Sequence, residues 1–172
     1  STEEYNSSLN TFTAAACASG GNLNAARFKM EMNGTQTATI AMGGGTMPSP
    51  PSSTTNSEYY DGSSWTAQPA MNNSRQRGGA GAFGTQTAAM SVSGVRNPPA
   101  PSNTVTDTEE WNGSNWTSGG AVPSGRYSAC FFGTQTAGVF AGGNPGPSNT
   151  GATDSAEYNG SSFSTGNAMA NG

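Results

Sequence analysis

The pentapeptide GTQTA occurs three times, opening at Gly34, Gly84 and Gly133, 50 and 49 residues apart. A chain that respells one polar segment at a fixed interval repeats a structural unit of that length. A second signal keeps the same rhythm: EYYDGSSW at 58–65, EEWNGSNW at 109–116, AEYNGSSF at 156–163 and a degenerate EEYNSSLN at 3–10. Each full copy places Asp or Asn before Gly between two aromatic residues. That pair is a strong hairpin signal and predicts a type I′ turn, with φ > 0 at both central positions. A third marker is an apolar residue four positions before an arginine, in Leu23 and Arg27, Met71 and Arg75, Val122 and Arg126. Counting back seven from each GTQTA glycine selects Arg27, Arg77 and Arg126 instead. The middle unit therefore carries two additional residues, and Arg75 and Arg77 compete for one role, which the count gives to Arg77.

Composition says what the repeated unit is made of. With 25 Gly and 10 Pro in 172 residues and 32% hydrophobic content, no window of ordinary helix length escapes a breaker, so long helices are excluded. Charged residues at 9% and aromatic residues at 9% argue against a solvated, disordered chain. From Arg126 onward the unit parses as strand RYSACFF, turn GTQT, strand AGVFAGG, loop, strand TDSAEY, turn NG and strand SSFSTG. Four short antiparallel strands in about 50 residues match one propeller blade. The expected fold is all-β, with about three and a half four-stranded blades as a β-propeller or open blade array. Residues 1–25 form a half blade (third and fourth strands) with its connector, 26–70 the first blade, 71–120 the second and 121–172 the third. GTQT is then the first hairpin of every blade, its Gly supplying a positive φ and its Thr residues suiting strand edges. Three and a half blades do not close a ring of 4 to 8, which leaves a blade face and strand edges to be covered. The expected partners are copies of the same chain or further repeats of the same polypeptide.

The order glycine pair, Glu-Tyr, Trp and apolar-x-x-x-Arg resembles the kelch repeat along nearly the whole chain. The glycine pair is present in Gly43, Gly44 and Gly45 and in Gly142 and Gly143, whereas the middle unit reads SVSG and keeps only Gly94. The resemblance implies that Arg27, Arg77 and Arg126 pair with members of the set Glu4, Glu58, Glu110 and Glu157 as staples of the fold. Tyr60, Trp65, Trp111, Trp116 and Tyr158 stand at repeat positions and are assigned to blade packing. More narrowly, GTQTA with EYNGSSW is similar to kelch-like arrays in fibre or surface proteins of bacteriophages and environmental bacteria. That likeness implies structural material for an oligomer, fibre or filament, extracellular or at the virion surface.

Other chemistries find few residues. Six Lys and Arg in a chain of net charge −4 form no basic stripe for phosphates, so nucleic acid is not an expected partner. No apolar run of about 18 residues is present for membrane insertion, and the N-terminal STEEYNSSL lacks the basic and apolar regions of a signal peptide. Without histidine, copper and zinc sites and a Ser-His-Asp triad are not expected, and no cofactor is implied. Asp61, Asp107, Asp154 and the Glu-Glu pairs mostly recur at repeat-equivalent positions and read as structural, so the chain reads as a non-enzyme. Cys17 and Cys130 read as two small buried thiols, with a disulfide within or between chains as the alternative. Sequons at Asn6, Asn33, Asn72, Asn112, Asn115 and Asn159 permit N-glycans, although Asn-Gly-Ser is also turn chemistry. The alternative function is a glycan- or receptor-binding module, an adhesin or phage tail fibre tip, using the Pro-rich loops at 46–57 and 95–108.

Overall fold

A computed structural model describes residues 19–47, 52–78, 84–96, 103–146 and 150–170. The expected N-terminal half blade, with Glu4, Asn6 and Cys17, lies outside the described residues. The elements in chain order are β1 (Glu31–Thr35), β2 (Ala38–Met42), β3 (Gly45–Thr46), β4 (Ser52–Ser53), β5 (Ser57–Tyr60), β6 (Trp65–Gln68), β7 (Gly84–Thr85), β8 (Ala88–Val92), β9 (Thr108–Trp111), β10 (Trp116–Ser118), β11 (Cys130–Thr134), β12 (Ala137–Ala141), β13 (Ser155–Tyr158) and β14 (Phe163–Thr165). They form three antiparallel meanders, β1-β2-β5-β6, β7-β8-β9-β10 and β11-β12-β13-β14, here called blades 1, 2 and 3. The two-residue ladder β3-β4 hangs between the second and third strands of blade 1. Among the described residues the fold is all-β, an open array of propeller-like blades.

The first hairpin of each blade shows why GTQT recurs as a turn. Pairing of Thr35 with Ala38 leaves Gln36 and Thr37 as a two-residue loop. The glycine is not in that loop: Gly34 lies within β1 opposite Thr39, with φ 126°. A Cβ there would stand 2.0 Å from the Ala38 carbonyl oxygen, and at Gly84 and Gly133 the matching distances are 1.8 and 2.3 Å. Glycine is required by this close approach as well as by its dihedral. The threonine contributes a cap, since Thr85 and Thr134 Oγ1 accept the amides of Ala88 and Ala137 at 3.1 and 3.2 Å.

The last hairpin of each blade corrects the expected type I′ turn. Its loop has four residues, and only the glycines Gly62, Gly113 and Gly160 have positive φ there. The preceding Asp or Asn acts through its side chain. Asp61 Oδ1 accepts the amides of Ser63 and Ser64, both at 2.8 Å, and Asn112 and Asn159 repeat the pattern at 2.8 to 3.0 Å. The aromatic residues flanking the loop stack across the strands. Ring centroids lie 4.9 Å apart in Tyr60 and Trp65, 5.3 Å in Trp111 and Trp116, and 4.6 Å in Tyr158 and Phe163.

The apolar core lies between blades rather than within one. Ile40 and Met42 of β2 are buried against Met71, Ala89, Trp111 and Trp116 of the following unit. Met90 and Val92, at the same positions of β8, are buried against Val122, Ala129, Phe131, Phe140 and Tyr158. Full burial of each large apolar side chain contributes about 1.5–3 kcal/mol, so most hydrophobic stabilisation is gained where blade meets blade.

Candidate functional site

The residues with repeated polar contacts meet at the blade joints and at an arginine seat inside each blade. Arg27 donates to the carbonyls of Gly43 and Asn56 at 2.8 and 2.9 Å and to Glu58 Oε1 at 2.7 Å. In blade 2 this seat belongs to Arg75, which reaches the Asp107 carbonyl at 2.8 Å, Asp107 Oδ2 at 2.7 Å and Glu109 Oε1 at 3.1 Å. In blade 3 Arg126 reaches the carbonyls of Gly142 and Asp154, both at 3.0 Å, and pairs with the Asp154 carboxylate. Burial pulls the Arg126 guanidinium below its usual range.

Three expectations are thereby corrected. Arg77 is not the seated arginine: it has φ 55°, and its guanidinium lies 5.4 Å from the centre of the Tyr127 ring. Glu110 points away from Arg75 because adjacent strand residues face opposite sides, and it accepts the Tyr158 hydroxyl of blade 3 instead. Glu157 is exposed, because the position equivalent to Glu58 and Glu109 is Ala156. The middle SVSG exit nevertheless keeps the blade geometry. Ser93 adopts the left-handed region at φ 58°, and its hydroxyl is shared between the carbonyls of Val105 and Arg126 at 2.7 and 2.8 Å.

A partner of the glutamates was not read from the sequence. The backbone and side-chain amides of Asn24 donate to Glu58 Oε2 at 2.9 and 2.6 Å, and those of Asn72 to Glu109 Oε2 at 2.7 and 2.9 Å. Blade 3 has Pro123 at this place and Ala156 in the glutamate seat, so donor and acceptor are lost together.

The joint uses the glutamine of GTQT, which the sequence reading left without a role. Gln86 Nε2 of blade 2 donates to the carbonyls of Thr39 and Tyr60 of blade 1 at 3.1 and 2.9 Å. Gln135 of blade 3 does the same to Ala89 and Trp111 of blade 2 at 2.7 and 2.8 Å. Each acceptor pair is a register pair of the second and third strands. The signal was the triple recurrence of glutamine at an otherwise exposed turn, where loop propensity alone does not demand it.

Main-chain bonds reinforce the joints. The Arg77 amide donates to the Lys29 carbonyl at 3.0 Å, and the Ser128 amide to the Arg77 carbonyl at 2.9 Å; all three residues are left-handed, with φ 55°, 55° and 53°. Gly44 and Gly94 amides donate to the Arg75 and Arg126 carbonyls of the following unit, both at 2.8 Å. Trp111 Nε1 donates to the Tyr59 hydroxyl across the first joint, where Tyr158 and Glu110 form the matching pair across the second.

Charge at the joints is unevenly solvated. Glu31, buried at the first joint, is pushed up to about 8 by burial, against the opposing pull of the Arg75 charge. Its carboxyl occupies the space where Gly78 would carry a Cβ. Burial, together with the Glu110 carboxylate, pushes the Tyr158 hydroxyl up to about 12. The amides of Ser64 and Ser63 hold exposed Asp61 well below the usual carboxylate range.

The aromatic positions divide by burial. Trp111, Trp116 and Tyr158 are buried, whereas Tyr60 and Trp65 are half-buried. Cys130 is a free, exposed thiol, not a buried one, because it lies on the outer side of β11. Among the sequons, Asn33 is 3% exposed and donates to the Met90 carbonyl, which leaves no room for a glycan. The Asn72 side-chain amide is engaged by Glu109 and the Trp116 carbonyl, while Asn112, Asn115 and Asn159 stand on exposed turns. Among the described residues no three His, Cys, Asp or Glu side chains group as a metal site, and no helix is long and apolar enough to cross a membrane.

No family model matches the chain, and no curated protein matches it in sequence. Among solved structures it is similar to that of YjhT, with a TM-score of 0.68 at 13% identity over 88% of this chain. The chain spans about half, 48%, of the length of that structure. The likeness is one of fold, the propeller-like blade.

Proposed function

We propose that this chain is non-enzymatic structural material, a kelch-like repeat protein of the extracellular space or virion surface whose blades build an oligomer, fibre or filament. One observation carries the reading: the recurring polar side chains are consumed in bracing each blade or in joining one blade to the next. The seated arginines are bonded to main-chain carbonyls and carboxylates, and Gln86 and Gln135 to the neighbouring blade. Asp61 is spent on a turn, and Glu58, Asp107, Glu109 and Asp154 on arginine staples. The glycan- or receptor-binding alternative rests on loops whose tips, 48–51 and 97–102, lie outside the described residues. A groove of about 380 Å³ between the first hairpins of blades 1 and 2 is lined by Gly, Ala, Thr and Gln, without an aromatic platform for a sugar ring.

Electron microscopy of the concentrated protein, paired with a glycan array, tests the proposal. Rings or filaments without glycan binding are expected. Dispersed particles that bind a defined glycan, with binding lost on shortening the 95–108 loop, would favour the alternative.

A further inference from the structure

We propose that the outer face of blade 3 is a seat for the first hairpin of blade 1 of a second copy. Molecules then join head to tail, with Gln36 of one donating to the Gly138 and Tyr158 carbonyls of the next. The inference rests on the structural reading above and gives it a contact.

At both described joints the acceptors are a register pair, Thr39 with Tyr60 and Ala89 with Trp111. The equivalent pair in blade 3 is Gly138 with Tyr158. Among the described residues no side-chain donor reaches those two carbonyls. A depression of about 260 Å³ lies there, lined among others by Phe132, Gly138, Val139, Glu157 and Tyr158. The surrounding face has the chemistry of a joint without its cover. Val139 is half-buried, where its counterparts Ile40 and Met90 are 0% and 1% exposed. Phe132 is 55% exposed, where its counterpart Asn33 is 3%. Exposed Glu157 matches Glu110, the acceptor of a hydroxyl from the following blade.

The complement is on the same chain. Gln86 and Gln135 are half-buried by their neighbours, whereas Gln36, in the same pentapeptide, is exposed and bonds to nothing among the described residues. The main-chain ladder through Lys29, Arg77 and Ser128 likewise continues from the Ser128 carbonyl to the Lys29 amide of the next molecule. Because donor end and acceptor end differ, the contact is heterologous and generates a ring or a filament. Two hydrogen bonds to carbonyls, an apolar patch around Val139 and Phe132, and a continued ladder select a blade of this repeat over an unrelated partner.

Sedimentation across a wide concentration range tests the seat in a Cys17→Ser background, with Gln36→Ala disabling one end and Val139→Arg the other. The unaltered ends should associate, and each variant should weaken association about tenfold or more while circular dichroism stays unchanged. An equimolar mixture of the two variants should give a dimer and nothing larger, since each molecule keeps one working end. In that dimer the Cys130 thiol of the Gln36→Ala molecule becomes protected from a thiol reagent. Phe132→Glu serves as a second acceptor-end variant if Val139→Arg alters the fold. A 17.3 kDa monomer at every concentration, or a mixture that does not pair, overturns the proposal. Polymers indifferent to both variants overturn this seat but leave the structural function standing; monomers that bind a ligand overturn both.

Discussion

Replacing the three GTQT glutamines one at a time separates the turn from the joint. Gln135→Ala removes two hydrogen bonds of 2.7 and 2.8 Å, and both acceptors belong to residues that are 0% exposed, Ala89 and Trp111. At about 1 kcal/mol net per bond, plus part of the penalty for a buried carbonyl left without a donor, the loss should be about 2–3 kcal/mol. Gln86→Ala removes bonds of 3.1 and 2.9 Å to Thr39 and Tyr60, both half-buried, so water replaces part of the loss and about 1–2 kcal/mol is expected. Gln36 is exposed, and its replacement should stay within about 0.5 kcal/mol at protein concentrations too dilute for association. Gln135→Glu keeps size and turn but exchanges the donor for a carboxylate facing two carbonyls, so it should destabilise more than alanine does. Urea denaturation reads the series, as midpoint shifts at constant slope. Three equal losses would trace the glutamine to its own turn and refute the joint assignment, as would no loss at Gln135.

Three further outcomes follow from the same contacts. Since burial holds Glu31 near 8, above its ordinary 4.5, the folded state binds the extra proton between those values and stability falls with rising pH from roughly pH 5 to pH 8. Denaturation at pH 5 and pH 8 should show that slope, and Glu31→Gln should flatten it. Arg75→Met leaves the buried Glu109 carboxylate without its counter-charge, while Asp107 keeps Arg96, and should cost about 3–5 kcal/mol, whereas Arg77→Ala gives up a ring contact of about 0.5–1 kcal/mol. Similar losses at both in thermal melts would return the seat to the competing residue. Ala156→Glu alone inserts a carboxylate at a position 3% exposed and should destabilise. Adding Pro123→Asn restores the donors seen at Asn24 and Asn72, and a double-mutant cycle should recover at least about 1 kcal/mol.

The all-β blade was legible because its strongest signals, the glycine beside the first turn and the Asx-Gly of the last, answer to local geometry. The choice between Arg75 and Arg77 was not, for a reason visible in the joints. The apolar residue of apolar-x-x-x-Arg is tied to the preceding blade, with Met71 and Val122 amides donating to Thr55 and Thr106 carbonyls at 2.9 and 2.8 Å. The segment from there to the arginine is therefore rigid in length. The stretch from arginine to the first strand is not, so the two additional residues fall there, and a count made from GTQT crosses the variable part. The Glu-Glu pair failed differently. Successive strand residues face opposite sides, and composition alone does not say which of Glu109 and Glu110 turns toward the arginine.

The contrast between varying and unvarying contacts explains what the pentapeptide is for. Where a side chain recognises a side chain, both must change together, as Asn24 with Glu58 and Asn72 with Glu109 become Pro123 with Ala156. Gln86 and Gln135 recognise main-chain carbonyls, which Thr, Tyr, Ala and Trp supply equally well. A clamp of that kind is indifferent to the sequence of its neighbour and can be respelled in every unit without a matching change elsewhere. It joins each blade to the one before it at both described joints, where the second and third strands keep their register. Repetition here carries the rule by which each blade joins the one before it.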